Sequence, residues 1–174
     1  MARVVFRQSR PADPQRQSES PRCRLIVSGC LSGLAVAAVA AWRARVEGRS
    51  AWRPINGMSH MVWGRRAAVQ ERVTVRFTGA GLLLNGFACG CWAWLYRLMH
   101  PLRPGPFPFV RSAGRAIGVS ALAYVTDYYL VPRRLTPGFE LTLSRRSFPW
   151  VYGALAAGLV VPDWWALVGS RSDT

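Results

Sequence analysis

Lysine is absent from this sequence and histidine occurs only twice, so few side chains are available to hold a metal ion. A zinc site needs three or four protein ligands, and neither a His-x-x-x-His pair nor a mixed Cys/His cluster is present. The four cysteines do not supply a site either, because Cys89 and Cys91 lack the Cys-x-x-Cys spacing of redox and zinc sites. We therefore expect no metal site and no cofactor.

The motifs of common nucleotide-dependent and hydrolytic enzymes are missing as well. The chain contains no Walker loop, no dinucleotide-binding glycine pattern, no Gly-x-Ser-x-Gly elbow and no metalloprotease motif. We assign no catalytic residue, and these absences argue against a familiar enzyme or an ATP-driven pump.

Long apolar runs are what the sequence has in abundance. Hydrophobic residues make up 51 % of the chain and are bunched together, whereas a soluble domain of this size would spread them at helix or strand period. The runs cover residues 25–42, 77–99, 116–131 and 148–168. Eighteen residues, the length of the first run, extend about 27 Å as a helix, close to the thickness of the hydrocarbon core. We predict an all-α, polytopic bundle of four transmembrane helices; the main alternative has three spans, with the fourth run along the interface.

The positive charge lies mostly between these runs. All 23 basic residues are arginine, and the formal net charge is +15. Such a charge also occurs in nucleic-acid-binding proteins, but arginine between apolar runs more commonly anchors loops to anionic lipid head groups. The predicted partner is therefore a bilayer with anionic head groups and not nucleic acid. Because the arginines divide almost evenly between the two sides, the orientation stays open.

The composition also indicates where the protein resides. An arginine-only chain rich in alanine, glycine and tryptophan is typical of a GC-rich bacterial genome, and we predict a multi-pass protein of the bacterial inner (cytoplasmic) membrane. The transmembrane domain covers residues 25–168. A basic tail over residues 1–24 is predicted to be disordered, and residues 169–174 form a short C-terminal tail.

A short amphipathic helix is predicted over residues 54–64, in the connection between the first two runs. Pro54 and Gly64 bracket it. Its polar face would carry Asn56, Ser59, His60 and Trp63, and its apolar face Ile55, Met58, Met61 and Val62. Such a helix lies at the membrane interface or folds back onto the bundle.

Two ionisable residues stand out as candidates for chemistry. Asp127 lies within a predicted span, where such a group is a functional candidate by default; the structural alternative is an ion pair with Arg133 or Arg134. His60 is suited to relay protons or to bind a ligand, and its structural alternative is hydrogen bonding, together with Asn56, to the backbone or to head groups.

These residues also suggest a shared pocket. In a four-span protein the connections after the first and third spans lie on one side of the membrane. We therefore consider a polar pocket at that face, formed by Asn56, His60, Asp127, Arg134 and Glu140. The alternative is a structural salt-bridge cluster, in which Glu140 supplies the negative charge for the neighbouring arginines.

Two stretches resemble motifs of a known group of proteins. Residues 54–65, PINGMSHMVWGR, resemble an N-A-x-S-H-x-x-W-G motif, and residues 127–144, DYYLVPRRLTPGFELTLS, resemble D-Y-x-L-V-P-x-R-L-T-P-G-F-E. Both motifs are typical of an uncharacterised family of small proteobacterial inner-membrane proteins, and the resemblance runs from about residue 25 to 168. It implies a fold and a membrane location but little chemistry. This chain departs from the pattern at Gly57, where alanine is usual, and at Asn85 and Gly86, where relatives often carry histidines.

The sequence leaves three functions open. The leading hypothesis is a non-enzymatic accessory or interaction subunit that acts through helix packing, because Gly29 and Gly33, like Gly86 and Gly90, form small-residue pairs. Its partners would be a second copy or another membrane protein. One alternative is a small oligomeric transporter or channel-like protein with a polar site at Asp127 and His60. The other is a membrane-embedded enzyme that acts on a lipid or a quinone.

Overall fold

The computed structural model describes residues 21–99 and 108–172. Within these ranges all regular structure is helical and no strand occurs, so the predicted all-α class is confirmed there. Most of the predicted N-terminal tail, the proline-rich segment 100–107 and the last two residues lie outside the described residues.

Seven α-helices follow one another in the described part of the chain. They are α1 (Pro21–Val46), α2 (Trp52–Met58), α3 (His60–Trp63), α4 (Ala80–Leu98), α5 (Pro108–Val125), α6 (Phe139–Thr142) and α7 (Phe148–Ser172). A π-helical turn over Val75–Gly79 leads into α4, and another over Thr126–Leu130 extends α5. α1 and α7 contain the first and fourth predicted apolar runs in full. α4 and α5, each together with its π-helical turn, contain all but the last residue of the second and third runs.

These long helices form an antiparallel bundle. α1 packs against α4 and α7, and α5 packs mainly against α7. Gly29 faces Gly90 and Gly33 faces Gly86, so α1 and α4 run in opposite directions. The connections after α1 and after α5 therefore lie at one end of the bundle, which we call the loop end, and they contact each other there through α2 and α6.

Small residues let α1 approach both of its neighbours closely. A β-carbon at Gly29 would lie 3.3 Å from the α-carbon of Gly90. At Gly158 in α7, a side chain would collide with the backbone of Ser32. Ser32 is fully buried, and its hydroxyl donates to the carbonyl of Leu155 at 3.4 Å. Close backbone contact through small residues is a common way for helices to pack in lipid.

The core between the helices is correspondingly thin. Alanine supplies many of the buried side chains, and few large apolar side chains are fully buried. The buried residues include Val36, Ala40, Ala93, Tyr96, Val119, Ala123, Val151 and Leu159.

The predicted amphipathic helix is instead two short helices, because α2 ends at Met58 and α3 begins at His60. Residues 54–60 are all buried, whichever predicted face they belong to, whereas Val62 and Trp63 are exposed. The segment is folded onto the bundle: α2 contacts α1, α4 and α6, and the carbonyl of Ile55 lies so close to Gly81 that no side chain fits there. Of the two placements considered for this segment, the structure shows the one packed on the bundle.

Two of the long helices are long and apolar enough to cross a membrane. They are Arg22–Val46, in α1, and Arg145–Val168, which includes most of α7. Length and composition alone support this assignment, and they favour a membrane protein. α4 and α5 do not pass the same test, so the second and third spans stay a prediction.

Candidate functional site

A cleft of about 1000 Å³ opens at the loop end of the bundle. α3, the end of α5 and the segment that leads to α7 form its walls. One part of the lining is cationic and consists of Arg65, Arg133, Arg134 and Arg145. Another part is aromatic and consists of Tyr124, Tyr128, Tyr129 and Phe148. We call this site the arginine cleft.

The cleft carries positive charge that its own residues do not neutralise. Among the described residues, Glu140 is its only lining carboxylate, and that carboxylate accepts a hydrogen bond from the hydroxyl of Thr136. Within the described ranges, no carboxylate oxygen lies within 4.0 Å of the four cleft guanidinium groups. The expected salt-bridge cluster around Glu140 is therefore wrong. Its carboxylate is held within its own loop by Thr136, four residues earlier.

His60 lines the cleft with one ring nitrogen unused. Its Nδ1 lies 3.0 Å from the carbonyl oxygen of Gly57. Because a carbonyl can only accept, this contact places a proton on Nδ1, and in the neutral ring Nε2 is then an acceptor. Nε2 is buried and has no hydrogen-bond partner among the described residues, and the side chain is only 6 % exposed. A buried polar atom without a partner is uncommon and calls for an explanation.

The backbone around His60 is fixed by contact between the two motif stretches. Gly138 has a φ of 82°, and a β-carbon there would lie 2.5 Å from the carbonyl oxygen of Gly57 and 2.9 Å from Nδ1 of His60. A β-carbon at Gly57 would in turn lie 2.7 Å from Cγ2 of Thr142. Glycine at position 57 thus permits the close contact between α2 and α6.

Asp127 lies beside the cleft but does not line it. Its Oδ2 accepts a hydrogen bond of 2.6 Å from the hydroxyl of Tyr152 in α7. No arginine nitrogen of the described residues lies within 4.0 Å of it, so the expected ion pair with Arg133 or Arg134 is wrong. The π-helical turn keeps the carboxylate against α7, while the two arginines lie beyond the helix end. Tyr152 in turn packs on the rings of Tyr124 and Tyr128, which do line the cleft.

Asn56 has a structural position away from the cleft. It is fully buried, and its amide donates to the carbonyls of Gln70 and Arg72, at 3.0 Å each. Its Oδ1 accepts from the hydroxyl of Thr78 at 2.6 Å. Because both ends of its amide are engaged, Asn56 holds the returning chain before α4. Of the five residues of the predicted pocket, the structure thus brings His60, Arg134 and Glu140 to one cleft.

A second polar cluster lies at the opposite end of the bundle, and the sequence analysis missed it. Arg97 of α4 forms an ion pair with Asp163 of α7, and its other amino group donates to the hydroxyl of Ser28 at 2.6 Å. The hydroxyl of Tyr96 donates to Asp163 at 2.6 Å. A signal was present, since Arg97 and Asp163 are opposite charges inside two predicted spans. Asp163 lies inside α7, which continues past Pro162 to Ser172.

Comparison with protein families, curated proteins and solved structures finds no match to this chain. The resemblance to an inner-membrane family therefore rests on the two motif stretches, residues 54–65 and 127–144. The structure adds that these stretches are in contact and that both contribute to the arginine cleft.

Proposed function

We propose that this chain is a multi-pass protein of the bacterial inner membrane with four spanning helices. We further propose that it acts as a non-enzymatic accessory protein that binds an anionic ligand in the arginine cleft. The family resemblance of the two motif stretches supports the same location.

Exposed apolar side chains on α4 and α5 support the two spans that composition leaves open. Leu83 and Phe87 of α4 and Ile117 of α5 are each more than 60 % exposed. A large apolar surface of this kind is unfavourable in water and normally marks contact with a membrane or a partner. As a helix, the 19 residues of α4 extend about 28 Å, close to the thickness of the hydrocarbon core.

The observation that carries the binding proposal is the excess of positive charge around one cleft. In the part of the chain that the structure describes, four guanidinium groups and a single carboxylate line this volume, and that carboxylate is engaged with Thr136. Guanidinium groups present planar donor pairs that match phosphate and carboxylate oxygens. An anion in the cleft would therefore supply the acceptors that these arginines lack.

The hydrogen bonds around His60 support binding over catalysis. The hydroxyl of Ser59 donates to the carbonyl of Asn56 at 2.7 Å, and Nδ1 of His60 contacts the carbonyl of Gly57. A hydroxyl nucleophile needs a base within hydrogen-bond reach. The hydroxyl of Ser59 is engaged with the backbone instead, and Nε2 of His60, the ring nitrogen that could act as a base, has no hydroxyl within hydrogen-bond distance among the described residues. This favours an accessory role over the alternative of an enzyme that uses His60.

Anion binding can be tested on the full chain in a neutral detergent. We would titrate glycerol 1-phosphate and follow binding by isothermal titration calorimetry, comparing wild type with Arg134→Gln. The expected result is a measurable affinity that the variant weakens by about tenfold or more, because a charged hydrogen bond is worth about 1.5–3 kcal/mol. The control is Arg146→Gln, since Arg146 is exposed and does not line the cleft. Equal binding by all three proteins, or none by wild type, would contradict the proposal.

The four-span arrangement has its own test. In a cysteine-free background, single cysteines at Val69 and Leu135 should react with a membrane-impermeant thiol reagent from one side of the membrane. A cysteine at Arg111, at the start of α5, should react only from the other side. Labelling of Val69 and Leu135 from opposite sides would exclude this topology.

A further inference from the structure

An apolar groove of about 500 Å³ adjoins the arginine cleft. It lies between α5 and α7 and is lined mainly by aliphatic residues, among them Ile117, Ala121, Val125, Gly153 and Ala156. Tyr124, Arg145 and Phe148 line both the groove and the cleft, so the two volumes share a wall. From Val125 back to Ile117, the groove follows α5 for about 12 Å away from the loop end.

Two hydroxyl groups of the groove, those of Ser120 and Tyr152, are already engaged by the protein. Ser120 donates to the carbonyl of Tyr152 at 2.5 Å, and the hydroxyl of Tyr152 donates to Asp127. Of the lining residues that the structure describes, Arg145 alone is charged, and it lies on the wall that the groove shares with the cleft. A hydrocarbon chain can therefore occupy the groove without leaving a buried polar group unpaired.

The cleft makes a second demand on whatever occupies it. Its arginines only donate hydrogen bonds, so the ligand must bring acceptor oxygens. The unused Nε2 of His60 accepts in the neutral ring, so the ligand must also bring a donor. An ammonium group would meet this need but would place a cation among the cleft arginines. A hydroxyl group adds no charge and fits better.

We infer that the arginine cleft and the apolar groove together form a site for one phospholipid with an anionic, hydroxyl-bearing head group. The phosphate lies against the arginines, a head-group hydroxyl donates to Nε2 of His60, and one acyl chain lies in the groove between α5 and α7. This inference rests on the proposed anion binding in the cleft. It adds that the anion is a lipid and that the lipid enters from the bilayer side of α5 and α7.

Lipids that differ in one group test the head-group assignment. Native mass spectrometry of the full chain in neutral detergent would compare phosphatidylglycerol with phosphatidylmethanol, which has the same charge and no hydroxyl, and with phosphatidylserine. We expect phosphatidylglycerol to bind about fivefold more tightly than phosphatidylmethanol, the effect of one additional net hydrogen bond, and more tightly than phosphatidylserine. Equal affinity for phosphatidylglycerol and phosphatidylmethanol would overturn the role given to His60.

A filled groove tests the position of the acyl chain. Gly153 lines the groove and has no protein atom within 4 Å of an added β-carbon, so Gly153→Leu fills it without a collision with the first added carbon. The matched control is Gly118→Leu, on α5, which also has open space but does not line the groove. We expect Gly153→Leu to weaken phosphatidylglycerol binding about tenfold or more, since each buried methylene contributes about 0.8 kcal/mol, and Gly118→Leu to leave it unchanged.

Glycerol 1-phosphate separates this inference from the proposed function. It has the head group without chains, so Gly153→Leu should leave its affinity unchanged while Arg134→Gln weakens it. The lipid inference is wrong if Gly153→Leu binds phosphatidylglycerol as tightly as wild type does. It is also wrong if wild type binds phosphatidylglycerol no more tightly than glycerol 1-phosphate. In both cases anion binding in the cleft stands. If wild type binds neither the lipid nor glycerol 1-phosphate, the proposed function itself fails.

Discussion

Arginine, carboxylate and tyrosine side chains occur at both ends of the bundle, with different surroundings. At the end opposite the loops, Arg97 is paired with Asp163, and Tyr96 and Ser28 complete the network. At the loop end, the cleft arginines have no carboxylate within 4.0 Å in the described ranges, and Glu140 is engaged with a hydroxyl. The same residue types thus form a closed network at one end and an open site at the other.

This difference separates structural charges from charges available to a ligand. A buried ion pair is held by mutual attraction. Loss of one partner is costly because it leaves the other charge buried without compensation. Unpaired arginines at a cleft contribute little to folding and keep their donors free. Stability should therefore depend on the first group, and binding on the second.

The largest expected effect is the loss of Asp163. Asp163→Asn leaves Arg97 largely buried without its counter-charge, and we expect the free energy of unfolding to fall by about 3–5 kcal/mol. Denaturant unfolding in detergent measures this change. The control is Glu71→Gln, which breaks the pair with Arg53 at a side chain that is 59 % exposed, against 6 % for Asp163. An exposed pair contributes about 0–1 kcal/mol, and equal losses in the two variants would contradict the closed network.

The next effect concerns the backbone that supports His60. Gly138→Ala introduces a β-carbon 2.5 Å from the carbonyl oxygen of Gly57 at a φ of 82°, and we expect a loss of about 3 kcal/mol. Gly48 also has a positive φ, 71°, but no atom lies within 4 Å of an added β-carbon. Gly48→Ala should therefore cost only about 1–2 kcal/mol, from the left-handed conformation alone. The difference between the unfolding free energies of the two variants measures the contact between Gly138 and Gly57. Equal losses would show that the added β-carbon at Gly138 is accommodated without strain.

A cleft arginine should matter little for folding. Arg134→Gln is expected to change the free energy of unfolding by less than about 0.5 kcal/mol, because no carboxylate or hydrogen-bond partner is lost. Arg97→Gln, measured in the same way, should be strongly destabilising. If both substitutions destabilise equally, the contrast between the two ends of the bundle disappears.

The smallest effect is a pH dependence at the loop end. Burial raises the pKa of Glu47, but hydrogen bonds from the hydroxyls of Ser147 and Ser144, together with the Ser144 backbone, outweigh it and lower that pKa below its usual 4.5. A carboxyl group whose pKa is lower in the folded chain stabilises the fold above its unfolded value and loses that contribution as the pH falls through the folded value. The unfolding temperature of wild type should thus fall relative to Glu47→Gln below pH 4.5. Parallel curves for the two proteins would show that the serines do not hold the charge.

The four long helices could be predicted from the sequence because each produces its own apolar run. The small-residue pairs Gly29/Gly33 and Gly86/Gly90 could also be recognised in the sequence as candidates for helix packing. Only the structure shows that the two pairs face each other. These features are local, or repeat at helical period, so one chain is enough to recognise them.

Pairings between distant residues could not be predicted in the same way. Arg97 meets Asp163 across 66 positions because of how α4 and α7 are aligned, and no local pattern encodes that alignment. The sequence analysis placed Asn56 in the polar pocket. Its actual hydrogen-bond acceptors, the carbonyls of Gln70 and Arg72, become its neighbours only when the chain folds back, and no local pattern indicates this. The interruption of the helix at Ser59, between α2 and α3, also depends on distant packing, since residues on both sides of it are buried against the bundle.

The packing of α1 against α7 has a consequence for biosynthesis. Among the described helices, α7 follows α1, α4 and α5 along the chain, so Ser32 and Arg97 obtain their complete surroundings only when α7 arrives. In a chain that stops before Phe148, Arg97 would lack its partner Asp163, and Ser32 would lack its contact with Gly158. The packing of α7 therefore completes the bundle, because α7 supplies Asp163 to Arg97 and Gly158 to Ser32.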